Sequence, residues 1–346
     1  MEASKYRIWW KDSVSCITLF LIQLAHLGNT GVGLVRPWMQ WYANPIFFII
    51  SGLLAEKNTN ISLYLYCKKS FKRLIVPYAV WSILNSLYYM YTLNEINRAL
   101  CFRLFHSFIA ANVNGGYIIG GTCWFLLGIF IAKVVWYSMY KYFGSKYKVT
   151  VACFFVWMIF DVLRHYDYPV MDYGYTRGLY WLFFYSLGPM LVEHFENNSN
   201  RIWSEYHVLK FRNVSYLIVL IVFSFYICSL GGDYAIRELL PYGYVLFDLV
   251  VEIVIPFLLS VCTLELCLFI KNSNIIFLGK NSLFLCGCES IVKLSVLYAF
   301  STIGLKFDLS CPFYCLVYII ICFYVYFYLL KVFEAALPNF LKHILY

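Results

Sequence analysis

The chain has 346 residues, of which 62% are hydrophobic and only 13% charged, with a mean hydropathy of +0.70. A charged fraction about half that of an ordinary domain excludes a water-soluble globule, which could not cover its surface with so few polar groups. The net charge of +9 is spread along loops, which argues against a nucleic-acid patch.

Apolar windows of roughly 20 residues, the length that crosses a hydrocarbon core, recur throughout. They predict spans near 13–34, 38–55, 74–93, 117–138, 149–163, 178–193, 214–231, 244–270, 275–301 and 312–333. Residues 94–112 are amphipathic and read as an interfacial segment. The expected fold is all-α: one polytopic membrane domain of ten helices over 1–346. The aromatic content of 21% fits rings gathered at both membrane interfaces. The first span lacks an Ala-x-Ala-like exit and carries a histidine, so it is expected to be a span and not a cleaved signal.

Lys and Arg orient the spans. Alternate loops carry seventeen basic residues against seven in the other set, with Lys133, Lys293 and Lys331 inside spans. Both termini are therefore expected in the cytoplasm, and the chain in the plasma (inner) membrane. The thirteen cysteines are odd in number, scattered and mostly within spans, which suggests buried thiols and no disulfide framework. No spacing points to a metal site.

Ionisable residues inside spans are the functional candidates. His26 follows Asp12 by fourteen residues, about 21 Å along a helix, and shares a polar stripe with Asp12, Ser15 and Gln23. Such a stripe lines a cavity or makes a packing contact with a neighbouring helix. In the ninth span, Glu289 and Lys293 stand four apart with the acid first, as a functional pair or a self-neutralising structural one. In the eighth, Asp248 and Glu252 are one turn apart and could share a proton, unless Asp248 belongs to the loop. The segment KKSFKRLIVP sets Lys68, Lys69, Lys72 and Arg73 at a membrane mouth. Its cations serve either as topology anchors or as a cradle for the phosphates of a nucleotide-like donor. No phosphate-binding Gly-rich loop or Gly-x-Ser-x-Gly elbow occurs.

Five segments in order resemble the acyltransferase-3 family of bacterial membrane proteins. KDSVSCITLFLIQLAH is similar to its opening helix, begun by Asp and closed by His. NPIFFIISGLL resembles its Phe-Phe-x-x-Ser-Gly stretch at Phe47, Phe48, Ser51 and Gly52. KKSFKRLIVPYAVW is similar to the basic entry to the third helix, with Arg73, Leu74 and Pro77 in register. CWFLLGIF carries Trp124 to Leu126 of a Trp-Phe-Leu element, and LGKNSLFLCGCE has Gly279, Ser282 and Leu283 of a late Gly-x-x-Ser-Leu segment. Two positions depart: many members carry Arg where this chain has Ser15, and His where it has Glu289.

The resemblance implies transfer of an acyl group, commonly acetyl from acetyl-CoA, to a hydroxyl of a surface glycan such as capsule, O-antigen or exopolysaccharide. On that reading His26 is the general base and Glu289 or Glu252 orients its ring. Lys68, Lys69, Lys72 and Arg73 receive the acyl-CoA, a substrate and not a resident cofactor. Partners are the glycan acceptor and membrane lipid, with no nucleic acid; a homo-oligomer is compatible with the sequence. The rival expectation is a polysaccharide or lipid-linked sugar transporter or flippase, which buried charges suit equally well.

Overall fold

The computed structural model describes residues 9–27, 35–53, 55, 60–93, 105, 108, 123–166, 168–170, 172–201, 214–216, 218–222 and 250–336. The described residues are helical and contain no β-strand. The helices are α1 (Trp9–Ala25), α2 (Val35–Gly52), α3 (Leu63–Ser70), α4 (Val76–Leu93), α5 (Trp124–Phe143), α6 (Lys146–His165), α7 (Gly174–Tyr180) and α8 (Leu182–Arg201), then α9 (Ile255–Cys267), α10 (Ser273–Lys280), α11 (Ser282–Gly287), α12 (Glu289–Thr302) and α13 (Pro312–Ala336). Among the described residues one helix, α13, is both long and apolar enough to cross a membrane by length and composition. Most of the expected interfacial segment and of the seventh span, and Asp248, lie outside the described residues.

Local chemistry explains several boundaries. The Ser62 side chain accepts a bond from the Leu65 N–H at the start of α3, satisfying one of the donors that a helix start leaves open. Gly144 closes α5 at φ +65°, its N–H bonded to the Tyr140 carbonyl, a left-handed cap that glycine adopts without steric cost. Two π turns, π1 (Phe71–Ile75) and π2 (Val250–Val254), share one layout. Each is followed by one residue and then a proline, Pro77 or Pro256. Proline has no N–H for the carbonyl four residues back and clashes with it; those carbonyls belong to Arg73 and Glu252. The ladder accommodates the defect by widening for one turn.

Contacts divide the chain into two compact units. Unit 1 comprises Met1–Phe47, Glu193–Lys280 and Phe307–Phe323. Its centre is α1, which packs on α9 and most extensively on α10. Gly279 makes the α10 crossing possible, because a Cβ there would lie 1.7 Å from the Asp12 carbonyl oxygen. Ser13 Oγ donates to the Ile270 carbonyl at 2.9 Å, the Trp10 and Phe195 rings tilt together at 5.3 Å, and Tyr42 hydrogen-bonds Thr263.

Unit 2 comprises Phe48–Val192, Asn281–Lys306 and Tyr324–Tyr346. Close backbone approaches recur here. A Cβ on Gly178 of α7 would meet the backbone of Gly128 on α5 at 2.5 Å, and one on Gly188 of α8 would meet the Ile49 carbonyl at 2.5 Å. Small residues at helix crossings let backbones touch, the packing mode favoured where no water drives helices together. At α11 the Trp81 ring lies across Gly287, whose carbonyl accepts from Asn85 Nδ2 at 2.8 Å.

Polar and charged residues are buried alongside a mainly apolar core, while apolar side chains also lie on the outside. Asp12, Gln23, Asn85, Asp161, Glu252, Asn281, Glu289 and Lys293 are buried. Exposed apolar side chains run along helix faces: Val151, Phe155, Ile159 and Val162 on α6, and Phe313, Leu316, Ile320, Tyr324, Tyr328 and Val332 on α13. Steps of three and four define one continuous face of each helix.

Candidate functional site

α1 ends at Ala25, and His26 occupies the following turn with its N–H on the Ile22 carbonyl at 2.9 Å. The expected span ran on to residue 34; Gly28, Asn29 and Gly31 follow, residues that favour a helix stop over continuation. His26 is exposed, whereas Asp12, Ser15 and Gln23 of the same stripe are buried. Ser15 Oγ donates back to the Lys11 carbonyl at 3.0 Å. The Asp12 backbone is the point of contact with Gly279, so the first and last of the five resembling segments touch within unit 1. Glu252 also belongs to unit 1, buried on π2.

Glu289 belongs to unit 2 and opens α12. Lys293 Nζ donates to its Oε1 at 2.6 Å, and both residues are buried, at 2% and 9% exposure. This short, charge-assisted bond meets the description of a self-neutralising pair. The expected ninth span is not one helix: it is broken at Asn281 and again at Cys288, giving α10, α11 and α12. Gly279-Lys280-Asn281, two poor helix formers around a charge, mark the first break.

The four cations of the basic segment stand together in unit 2, Lys68 and Lys69 on α3 and Lys72 and Arg73 on π1, all exposed. Hydropathy does not reveal their neighbour, Lys133. One stripe of α5 faces α3 and π1: Phe130 meets Phe71 edge-on at 6.2 Å, Lys133 Nζ lies 5.5 Å over the Tyr66 ring, and Tyr137 stacks on Tyr66 at 3.8 Å. Lys141 Nζ continues the stripe, 5.6 Å over the Tyr137 ring. Arg73 lies within electrostatic range of Lys133. The hydroxyls of Tyr66 and Tyr185 are buried near one another without meeting hydrogen-bond geometry. Residues 60–93 and 123–160 contain no Asp or Glu. This surface is therefore a concentration of positive charge with no acid of its own elements to offset it.

Two further arrangements escape sequence reading. His194 Nε2 lies 3.4 Å from Glu265 Oε1 in unit 1. In unit 2, Arg164 donates to Asp161 Oδ1 at 2.9 Å and its guanidinium lies over the Tyr180 ring, while that of Arg177 lies 4.7 Å over Trp124. Asp161 and Arg164 are three apart on α6, a spacing that pairs them; the other contacts join residues distant in the chain, which spacing alone does not pair.

The chain matches no family model, no curated protein and no solved structure.

Proposed function

We propose that the chain is a polytopic plasma-membrane O-acyltransferase of about ten spans, both termini cytoplasmic, moving an acetyl or other acyl group from acyl-CoA to a glycan hydroxyl. The observation that carries the reading is the contact of Gly279 with Asp12. The glycine of the late resembling segment sits where only a glycine fits against the acid that opens the first. The exposed apolar faces of α6 and α13 and the buried charged residues support the membrane setting, since both suit lipid as solvent. The cations of α3 and π1, on a stretch (residues 60–93) without an acid of its own, suit a donor that carries several phosphates.

In the proposed reaction neutral His26 takes the proton from the acceptor hydroxyl as its oxygen attacks the thioester carbonyl. The C–O bond forms, the C–S bond breaks, and the proton passes from the imidazolium to the departing CoA thiolate. The products are the glycan ester and free CoA. The exposed position of His26 beyond α1 suits a base that must meet an acceptor from outside the helix. Glu252, on a π turn of the same unit, is the carboxylate we assign to orienting the ring. Glu289 is assigned to pairing Lys293 before any catalytic part. Ester analysis of the host's surface glycan with and without the gene tests the reading: loss of acyl esters with polymer still exported supports it.

A polysaccharide or lipid-linked sugar transporter is the second reading, favoured by one specific observation. The discontinuous run α10–α11–α12, with a buried ion pair beside its second break, has the form in which transporters build midplane binding sites. Loss of surface polymer altogether in the same experiment supports this reading instead.

A further inference from the structure

We infer that Lys133 and Arg73 form a phosphate-binding site beside the Tyr66 ring, at the junction of α3, π1 and α5. The site deepens the donor reading above and rests on it for the CoA ligand alone; its geometry stands independently.

Lys133 is the unusual member. It sits within an apolar helix, half-buried, with its ammonium over a tyrosine ring that is itself only 2% exposed. Its charged neighbour is another cation, Arg73. Neither makes an ion pair among the described residues, and neither of the two chain segments involved contains an acid. A half-buried ammonium within electrostatic range of a guanidinium loses hydration and gains repulsion. If Lys133 served packing alone, a leucine or methionine would fit this stripe of α5 at lower cost. A lysine that merely extended its head to water would leave the ring of a buried tyrosine.

An anion between the two cations reverses the balance. Arg73 offers a planar fork suited to phosphate oxygens, and Lys133 a compact point charge behind it. Two neighbouring cations match the acceptor oxygens of a phosphate. The phosphate can come from a CoA-type nucleotide or from an anionic lipid headgroup, which share this chemistry.

The full-length protein in phosphatidylcholine nanodiscs, titrated with CoA by calorimetry, distinguishes these sources when repeated with phosphatidylglycerol in the disc. Lys133→Met keeps the side-chain length and removes the charge; Arg73→Gln, at an exposed position, is the second variant. The expected result is that each variant weakens CoA binding about tenfold or more, while the unfolding midpoint of ligand-free Lys133→Met in phosphatidylcholine stays level or rises. If wild type ignores CoA but phosphatidylglycerol raises its midpoint and not that of Lys133→Met, the site stands with a lipid ligand and the donor reading falls. Unchanged responses to both ligands in both variants overturn the site. So does a Lys133→Met protein that unfolds several degrees earlier or cannot be recovered folded, because the lysine is then a structural element.

Discussion

Gly279 and Asp12 meet backbone to backbone: a methyl group on Gly279 would fall 1.7 Å from the Asp12 carbonyl oxygen. α10 can approach α1 this closely because one helix presents no side chain at the crossing. Gly279→Ala therefore separates the helices or shifts both, an overpacking that costs about 1–3 kcal/mol. Thermal unfolding of the purified variant in detergent checks this, with a midpoint clearly below wild type as the expected result. An unchanged midpoint would mean the two helices are not packed at this position.

The Glu289–Lys293 pair makes a prediction about asymmetry. Removing one partner strands a buried charge, so Lys293→Met alone is expected to cost about 3–5 kcal/mol. Replacing both, as Glu289→Met with Lys293→Leu, is expected to restore most of the stability. If the double variant is folded and still transfers acyl groups, the pair is structural. A folded double variant without activity moves Glu289 back among the functional residues.

Loop charge makes a topological prediction. Reporter fusions after residues 60, 145 and 205 should report cytoplasm, and those after 110, 170 and 235 the outside. An inverted neighbouring pair would remove one span from the proposed ten, with the second and fifth windows the first to re-examine.

Hydropathy found the helices but not their hydrogen-bond registers. The window 312–333 falls on α13 within three residues at its end, while 117–138 overlaps α5 over 124–138, its first six residues lying outside the described ones. The window 275–301 hides two breaks, because averaging over twenty residues cannot register a ladder interrupted at Asn281 and Cys288. The π turns were legible in principle: Pro77 and Pro256 each fix a carbonyl four residues back that must lose its partner. Lys133 was not legible as a site residue. To hydropathy it is an isolated charge in a span, and its neighbours Tyr66 and Arg73 come from about sixty residues earlier in the chain. His26 was legible as a candidate from the stripe, but its exposure beyond the end of α1 depends on where the helix stops.

Neutralising the exposed cations of π1 tests the donor surface without endangering the fold. Surface charge changes ordinarily move stability little, so Lys72→Gln with Arg73→Gln is expected to leave the unfolding midpoint near wild type. CoA affinity should fall about tenfold or more as charge-assisted contacts are lost. Normal CoA binding by the double variant would return the segment to topology anchoring alone.

Acyl transfer by His26→Gln bears most directly on the central claim. Glutamine keeps a hydrogen-bonding head of similar reach but cannot take up a proton, so it separates a base from a packing residue. Loss of a general base typically lowers rate by about 10²–10⁴-fold. With acyl-CoA and the acceptor glycan supplied to protein expressed at the wild-type level, His26→Gln should be as inactive as His26→Ala. Near-wild-type glycan acylation by a well-expressed His26→Gln protein would contradict the mechanism and remove the main ground for preferring an enzyme to a transporter.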